Sequence, residues 1–185
     1  MPFKFIKNVI LNESVPKKDL ELLPLPYAKD DLDPSLTSEA LFYHYNKLAQ
    51  GYVDRYNQGE GDMDFNEAGA FLHNLLFPQY MAANPSNEPH GSALDLINKH
   101  FKSFDNFKKQ FLKTAMGIQG SGWIYLAKDG EIKTIENHDI RQDIVLLIDW
   151  WEHAWALDYK WDKKKYLENQ WKIINWNVVG ARVGR

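Results

Sequence analysis

Two segments of the N-terminal half carry apolar residues at the three- and four-residue spacing of an amphipathic helix. The inward positions of the first segment are Leu41, His44, Tyr45, Leu48 and Tyr52. Thr37 or Ser38 can cap this helix, and the polar turn at residues 57–62 ends it. The second segment covers about residues 66–77. Two consecutive helices joined by a short turn predict an antiparallel hairpin.

Three short segments of the C-terminal half have the composition of β-strands. Residues 123–127 and 131–135 flank the sequence Lys-Asp-Gly at 128–130, which is a favoured hairpin turn. Residues 144–148 are continuously apolar and mostly β-branched, which predicts a buried strand that delivers Asp149 at its end. Together these segments predict a small three-stranded antiparallel sheet.

The rest of the C-terminal half is predicted to be helical. One helical period extends over residues 94–116, and further helical segments lie around residues 166–176. We therefore predict an α+β fold, in which an N-terminal antiparallel helical hairpin precedes a mixed domain with the three-stranded sheet and surrounding helices. A stretch rich in Pro, Asn, Ser and Gly marks the boundary. The predicted units are an N-terminal extension (1–22), a helical-hairpin domain (23–85) and a C-terminal α/β domain (86–185).

Composition narrows the chemistry that the chain can perform. The 185 residues include no cysteine, which excludes disulfides, thiolate metal sites, iron–sulfur clusters and cysteine nucleophiles. The net charge of −3 is made of interspersed acids and bases, so we expect no nucleic-acid partner. No apolar run approaches the roughly 20 residues of a membrane span, and the opening residues do not resemble a secretory signal. A cytoplasmic location without membrane attachment is the expectation.

A carboxylate and an imidazole four positions apart, Asp149 and His153, stand inside a tryptophan-rich tract. A charge buried there without a partner would be unfavourable, and a cation would remove that penalty. Carboxylate and neutral imidazole suit iron, manganese or zinc. His44 and His73 lie on the inward faces of the two predicted helices, where a hydrogen-bonded core histidine is the common explanation. Because the hairpin can bring them face to face, we predict a metal site of three imidazoles and one carboxylate.

Other readings of the histidines remain open at this point. A mononuclear iron oxygenase would use two histidines and one carboxylate, and a third histidine argues against it. His90 and His100 are expected to be exposed and without a role, because one lies in a polar loop and the other near a surface helix end.

The chain resembles the iron/manganese superoxide dismutase family over nearly all of residues 23–180. The sequence Asp-Trp-Trp-Glu-His-Ala at 149–154 resembles the family signature around its last two metal ligands. The segments that resemble further family motifs, in matching order, are Leu25-Pro26-Tyr27, Leu32-Asp33-Pro34, Asp105-Asn106-Phe107, Gly120-Ser121-Gly122-Trp123 and Ile174-Asn175-Trp176. Residues 70–72, just before His73, depart from the common pattern.

The resemblance implies a set of functional residues. The metal ligands carry over onto His44, His73, Asp149 and His153, for one Fe or Mn ion per subunit. Tyr52 would stand at the substrate channel, Trp123 and Trp151 would line the pocket, and Lys163 would attract the anionic substrate. Glu152 would reach the partner subunit's His153 across the interface of a homodimer or a dimer of dimers.

The position of His138 bears on the choice of metal. Many manganese-type members carry a glutamine there, which hydrogen-bonds the metal-bound solvent. The donor of iron-type members would come four residues before His73, where Gly69 offers no side chain. The resemblance therefore makes His138 the donor that tunes the metal, and iron is slightly favoured over manganese.

Two residues depart from the family at one place. Leu48 stands where a channel histidine is usual, and Ala156 stands where a tyrosine is usual, and in the family those two side chains pair across the dimer interface. The leading hypothesis is a superoxide dismutase that converts superoxide to oxygen and hydrogen peroxide. The alternative is a catalytically impaired relative that acts as a metal-binding or interaction module, and the two departures are its support.

Overall fold

The computed structural model describes residues 18–184 of the chain. Residues 1–17 of the predicted N-terminal extension, and residue 185, lie outside the described residues. The fold is α+β, with an N-terminal helical region followed by a three-stranded antiparallel sheet and its surrounding helices, as the sequence predicted. No helix within residues 18–184 combines the length and the apolar character that crossing a membrane requires.

The first arm of the hairpin is one uninterrupted helical run of changing pitch. Its parts are α1 (Ser38–Leu41), a π-helical segment (Phe42–Ala49) and α2 (Gln50–Gln58). Thr37 caps the run, because its hydroxyl accepts a hydrogen bond from the Ala40 N–H at 3.2 Å. Gly59 ends the run in the left-handed conformation, with φ of 72°. The amphipathic pattern predicted the helix, but not its π-helical middle.

The second arm is α3 (Met63–Leu76), which begins about three residues before the predicted start. Asp62 caps α3, because its carboxylate accepts a hydrogen bond from the Phe65 N–H at 3.0 Å. A short 3₁₀ turn (Phe77–Gln79) follows, with Pro78 inside it.

The sheet has the strand order β2-β1-β3, with β1 (Gly122–Ala127), β2 (Ile132–Glu136) and β3 (Ile144–Asp149). Gly130 makes the predicted hairpin turn between β1 and β2 with φ of 84°. The register of β1 with β3 pairs Trp123 with Asp149. Every residue of β1 and β3 is buried, so both strands are covered on both faces of the sheet.

The helical period predicted over residues 94–116 is divided by a break that the sequence analysis did not predict. The structure has two helices there, α4 (Gly91–Phe101) and α5 (Phe104–Met116). Lys102 ends α4 with φ of 72°, and Ser103 caps α5 by accepting the Asn106 N–H at 3.2 Å. The apolar spacing continues across this break, because the rings of Phe101 and Phe107 pack 5.0 Å apart on the same core.

The C-terminal helices are α6 (Glu152–Tyr159), α7 (Lys163–Gln170) and α8 (Trp176–Val183). The helical region predicted around residues 166–176 therefore ends at Gln170, and Trp176 begins a new helix. Asp158 of α6 accepts hydrogen bonds from the Thr37 N–H at 2.8 Å and the Thr37 hydroxyl at 2.7 Å. These bonds hold the start of the hairpin against α6.

The buried Gln79 and the half-buried Arg182 join the end of the hairpin to β3 and α8. The Gln79 amide pairs with the backbone of Leu147, accepting the N–H at 3.1 Å and donating to the carbonyl. Arg182 donates to Gln79 Oε1 at 3.0 Å and to the Leu75 carbonyl at 2.6 Å. Because β3 lies at the edge of the sheet, Gln79 satisfies backbone groups that would otherwise lack partners.

Residues 20–23 pack on the hairpin through asparagine side chains. The Asn57 amide accepts the Leu20 N–H at 2.8 Å and donates to the Leu20 carbonyl at 2.9 Å. Asn74 makes the same kind of pair with the Leu23 N–H and the Glu21 carbonyl, at 2.8 and 2.9 Å. Residues 20–22 thus contact the hairpin, although the sequence pattern placed them in the extension. The boundary predicted at residues 85–86 stays a prediction.

Candidate metal centre

Four side chains from different elements converge on one point in the core. His44 comes from the π-helical segment, His73 from α3, Asp149 from the end of β3 and His153 from α6. One potential ligand atom of each lies within 4.8 Å of those of the others. Asp149 Oδ2 is 3.1 Å from His44 Nε2, 3.0 Å from His153 Nε2 and 3.7 Å from His73 Nε2. The structure thus brings together the four residues that the sequence suggested as ligands.

The backbone around Asp149 fixes the direction of its carboxylate. The Trp151 N–H donates to Asp149 Oδ1 at 2.8 Å, and the Tyr166 hydroxyl donates to the Asp149 carbonyl at 2.9 Å. One carboxylate oxygen is therefore used by the turn into α6, and the other faces the three imidazoles. His153 follows four residues later on the first turn of α6, which returns its ring to the same point.

Hydrogen bonding determines which nitrogen of His73 faces the cluster. His73 Nδ1 lies 2.7 Å from the Gly69 carbonyl, which can only accept, so Nδ1 carries the proton. The Nε2 lone pair then faces the cluster, 3.1 Å from His44 Nε2. A backbone carbonyl that fixes the tautomer in this way is typical of histidines that bind metals.

The cluster holds one buried negative charge. Burial alone would raise the pKa of Asp149, but the neighbouring His153 and His44 hold it well below its usual range. Burial lowers the pKa of His44 and, more strongly, that of His73, so both imidazoles are neutral. Three imidazole nitrogens and one carboxylate oxygen form a donor set that suits a divalent or trivalent transition metal, and a cation would balance the Asp149 charge.

A second group of side chains lies against the cluster. The Trp123 Nε1–H donates to His138 Nδ1 at 3.0 Å, and His138 Nε2 lies 2.9 Å from the Tyr52 hydroxyl. The Trp151 ring stacks on His138, with centroids 4.6 Å apart and an angle of 18° between planes. The rings of Tyr52 and His73 are 5.5 Å apart. Burial lowers the pKa of His138 to about 4 and raises that of Tyr52 to about 12, so both are neutral near pH 7.

Two residues next to this group were not singled out by the sequence for these roles. Phe65 lies against His138, with ring centroids 4.6 Å apart, and Gly69 leaves room for the Tyr52 ring. Their spacing from His73, at eight and four residues before it on α3, places them on the same helix face. That spacing could have identified Phe65, whereas the role of Gly69 depends on the approach of α2, which no local pattern shows.

Other predicted residues lie at the edge of the site. Glu152 is exposed, and no hydrogen bond within residues 18–184 joins it to His153. The Lys163 ammonium lies 4.6 Å from the centre of the Trp155 ring. Leu48 packs against the small apolar cluster around Tyr52. His90 and His100 are exposed and lie outside the metal-ligand cluster, as the sequence suggested.

Two family models match this chain, one in each half. A family model described as the alpha-hairpin domain of iron/manganese superoxide dismutases matches residues 19–70, and the model of their C-terminal domain matches residues 89–182. A protein of Pyrobaculum aerophilum named superoxide dismutase (Fe) is 32% identical, over 91% of this chain and 94% of its own length. The chain belongs to the iron/manganese superoxide dismutase family.

Further relatives agree with this assignment. Proteins named superoxide dismutase (Fe) from Bacteroides fragilis and Salmonella typhimurium are each 34% identical over 88% of this chain, and over 98% and 97% of their own lengths. This member of the superoxide dismutase family is an oxidoreductase that converts superoxide to oxygen and hydrogen peroxide. Nothing in the comparisons or the site geometry favours the catalytically impaired alternative.

Proposed function

We propose that this superoxide dismutase works with one metal ion per subunit, bound by His44, His73, Asp149 and His153. The observation that carries the proposal is the approach of three imidazole Nε2 atoms to one fully buried carboxylate oxygen. We propose iron as the metal, because the relatives at 32–34% identity are named as iron enzymes. Manganese is the second candidate, since the same donor set suits both metals.

An ion held by these four residues would supply one-electron redox chemistry between a trivalent and a divalent state, and the chain's own residues would supply the protons and control access. Reduction of superoxide to hydrogen peroxide consumes two protons, so a proton donor must stand beside the cluster. Tyr52 fits this role, because burial keeps its hydroxyl protonated and its ring packs against the ligand His73. His138 holds the Tyr52 hydroxyl in place through the hydrogen bond at 2.9 Å.

Two tryptophans restrict access to the cluster. Trp123 is fully buried and its ring lies 5.1 Å from that of His73. The ring of Trp151 lies 5.6 Å from that of His153. We propose that these indoles exclude anions larger than superoxide from the ligands, in addition to their contribution to core packing.

We also propose that the active unit is a homodimer or a dimer of dimers in which Glu152 completes the partner's site. The support is that Glu152 is exposed and its carboxylate makes no hydrogen bond or ion pair within residues 18–184, while His153 uses Nε2 on Asp149 and has no hydrogen bond from Nδ1 there. A carboxylate from a second subunit would satisfy that nitrogen and fix the tautomer.

Glu152→Gln should then lower metal retention and weaken self-association in sedimentation velocity, whereas Glu168→Gln, an exposed control on α7, should change neither. An unaltered Glu152→Gln variant would contradict this role. The cytoplasmic location stays a prediction.

Metal analysis combined with an activity assay tests the proposed site. The purified chain is stripped, reloaded separately with iron and with manganese, and assayed for metal content and superoxide consumption. We expect about one ion per chain and faster turnover with iron. His73→Ala should lose both metal and turnover, whereas His100→Ala, at an exposed histidine outside the cluster, should retain both. Unchanged metal content in His73→Ala would refute the ligand assignment. A native chain that binds a full complement of metal but does not consume superoxide would favour the metal-binding-module alternative.

A further inference from the structure

The hydrogen-bonded series from Trp123 through His138 to Tyr52 has a defined direction. An indole N–H can only donate, so the contact of 3.0 Å from Trp123 Nε1 makes His138 Nδ1 an acceptor without a proton. A neutral imidazole carries one proton, which must then reside on Nε2. Since Nε2 lies 2.9 Å from Tyr52 Oη, that proton is donated to the tyrosine oxygen.

We propose that Trp123 is a positioning residue that sets the tautomer of His138, so that the only N–H of His138 is donated to Tyr52 and none remains for the metal-ligand cluster. The Tyr52 hydroxyl proton is then the one hydrogen-bond donor of the pair that stays available to the cluster. The functional part of this inference rests on the proposed function, whereas the tautomer itself does not.

Packing holds the His138 ring in this orientation. Trp151 stacks on the imidazole with ring centroids 4.6 Å apart, and the Phe65 ring lies at 4.6 Å with an angle of 55° between planes. Rotation of the His138 ring by 180° would place carbon atoms where both nitrogens now stand. The rotation would break both hydrogen bonds of His138. The Trp123 Nε1–H and the Tyr52 hydroxyl have no other hydrogen-bond partner within residues 18–184.

The chemistry of histidine makes this arrangement differ from that of an amide. A glutamine side chain has two N–H donors and an acceptor oxygen, so it can accept from an indole and still donate to two partners. Neutral histidine has one donor and one acceptor, and Trp123 and Tyr52 use both. Any hydrogen bond from this group to the cluster would therefore pass through the Tyr52 hydroxyl, and His138 would act on the metal through Tyr52 rather than as the direct donor that the family resemblance implies.

Nitrogen NMR on the full-length chain tests the tautomer directly. The chain is labelled with ¹⁵N at histidine and tryptophan and loaded with Zn²⁺, which is diamagnetic and suits the same ligands. The His138 signals are assigned as those lost in His138→Gln. We expect Nδ1 to appear unprotonated, with a scalar coupling across the hydrogen bond to Trp123 Nε1. A protonated Nδ1, or no such coupling, would overturn the proposal.

Variants separate the influence of Trp123 from that of its neighbours. Trp123→Phe should shift the tautomer ratio of His138 by about tenfold toward the Nδ1–H form, the effect of losing one net hydrogen bond. Trp151→Phe, which removes an indole that does not bond to His138, should leave the ratio unchanged. Tyr52→Phe should also leave it unchanged, because a hydroxyl can accept from Nε2–H or donate to an unprotonated Nε2 and so favours neither tautomer. A shift in Tyr52→Phe equal to that in Trp123→Phe would assign the control to Tyr52 instead. If Trp123→Phe does not fold, the coupling in the native chain and the Tyr52→Phe spectrum still decide the question.

The NMR result is independent of turnover. If the native chain consumes no superoxide when loaded with iron or with manganese, the proposed function is refuted, but the tautomer result still holds. A protonated Nδ1 in a fully active enzyme would refute this inference alone.

Discussion

Gly69 lies directly against the ring of Tyr52. A methyl group added at Gly69 would stand 2.9 Å from Cγ of Tyr52 and 3.0 Å from both Cδ atoms. Glycine in the interior of a helix is unfavourable by roughly 0.5–1 kcal/mol relative to alanine. α3 therefore tolerates a weak helix former at the one turn where the Tyr52 ring approaches it.

Gly69→Ala should displace Tyr52 from His138. We expect a net loss of about 1–3 kcal/mol in unfolding free energy, because the clash outweighs the gain in helix propensity. Turnover should fall as the Tyr52 hydroxyl moves, while metal content is retained. Gly180→Ala, inside α8, is the matched control, since its new methyl would make only ordinary contacts, the nearest at 3.4 Å from Ser92 Oγ. Urea unfolding and a superoxide assay on both variants check this, and a Gly69→Ala protein as stable and active as the native one would contradict it.

Leu48 and Ala156 should behave as a coupled pair. In the homodimer proposed above, these two positions would meet across the subunit interface. Leu48→His alone should destabilise the chain by about 1–3 kcal/mol, because the imidazole would be half-buried without a partner. The double variant Leu48→His with Ala156→Tyr should recover part of that loss and should raise turnover by adding a proton path to Tyr52. A double-mutant cycle measures the coupling, and strictly additive effects would show that the two positions do not meet.

Gln79 should contribute to stability well beyond a typical polar residue. Gln79→Leu would leave the Leu147 N–H and part of the Arg182 guanidinium without their buried partner. We expect a loss of about 2–4 kcal/mol, with turnover per folded molecule little changed, because Gln79 does not touch the metal ligands. The exposed Gln142→Leu serves as the control. A loss below about 0.5 kcal/mol would show that solvent satisfies these groups.

Tyr159 should make the fold sensitive to alkaline pH. Burial raises the pKa of Tyr159 to about 12, whereas an unfolded tyrosine ionises near 10. Between these values the unfolded state has released the proton and the folded state has kept it, so stability falls as pH rises, by up to about 1.4 kcal/mol per pH unit.

Tyr159→Phe should reduce that slope between pH 10 and 12, although at pH 8 the variant loses about 1 kcal/mol with the hydrogen bond to the Ser35 carbonyl. Urea unfolding at pH 8, 10 and 11 compares the slopes. Tyr43→Phe, which removes a phenol that is 53% exposed, is the control. Parallel stability curves for Tyr159→Phe and the native chain would rule out this contribution.

Local pattern was sufficient for much of the fold and for part of the site. The apolar run of β3 placed Asp149 at the end of a buried strand, and helical spacing turned His44 and His73 inward. The pattern failed at Lys102, because apolar spacing that continues across a break looks the same as one helix. It also missed the π-helical segment around His44, since one-face periodicity does not distinguish helical pitch over eight residues.

The site features that the sequence did not predict depend on contacts between residues that are far apart in the chain. His138 lies in the irregular segment after β2, where Asn137 adopts φ of 54°, and no periodicity predicts which way such a residue faces. Only the resemblance to a known family suggested its role. The use of both His138 nitrogens by Trp123 and Tyr52 depends on contacts between residues 15 and 86 positions apart, which a single sequence does not encode in any local pattern.

The four metal-ligand candidates come from both halves of the chain. His44 and His73 belong to the helical hairpin, and Asp149 and His153 to the C-terminal half, so neither half carries more than two donors. Thermodynamic linkage then makes the affinity for the ion part of the free energy that docks the halves together. At a free ion concentration about a thousand times the dissociation constant, that part is about 4 kcal/mol. A chelator is therefore expected to loosen the junction of the two halves as well as to stop turnover, and metal uptake should report when the chain has completed its docking.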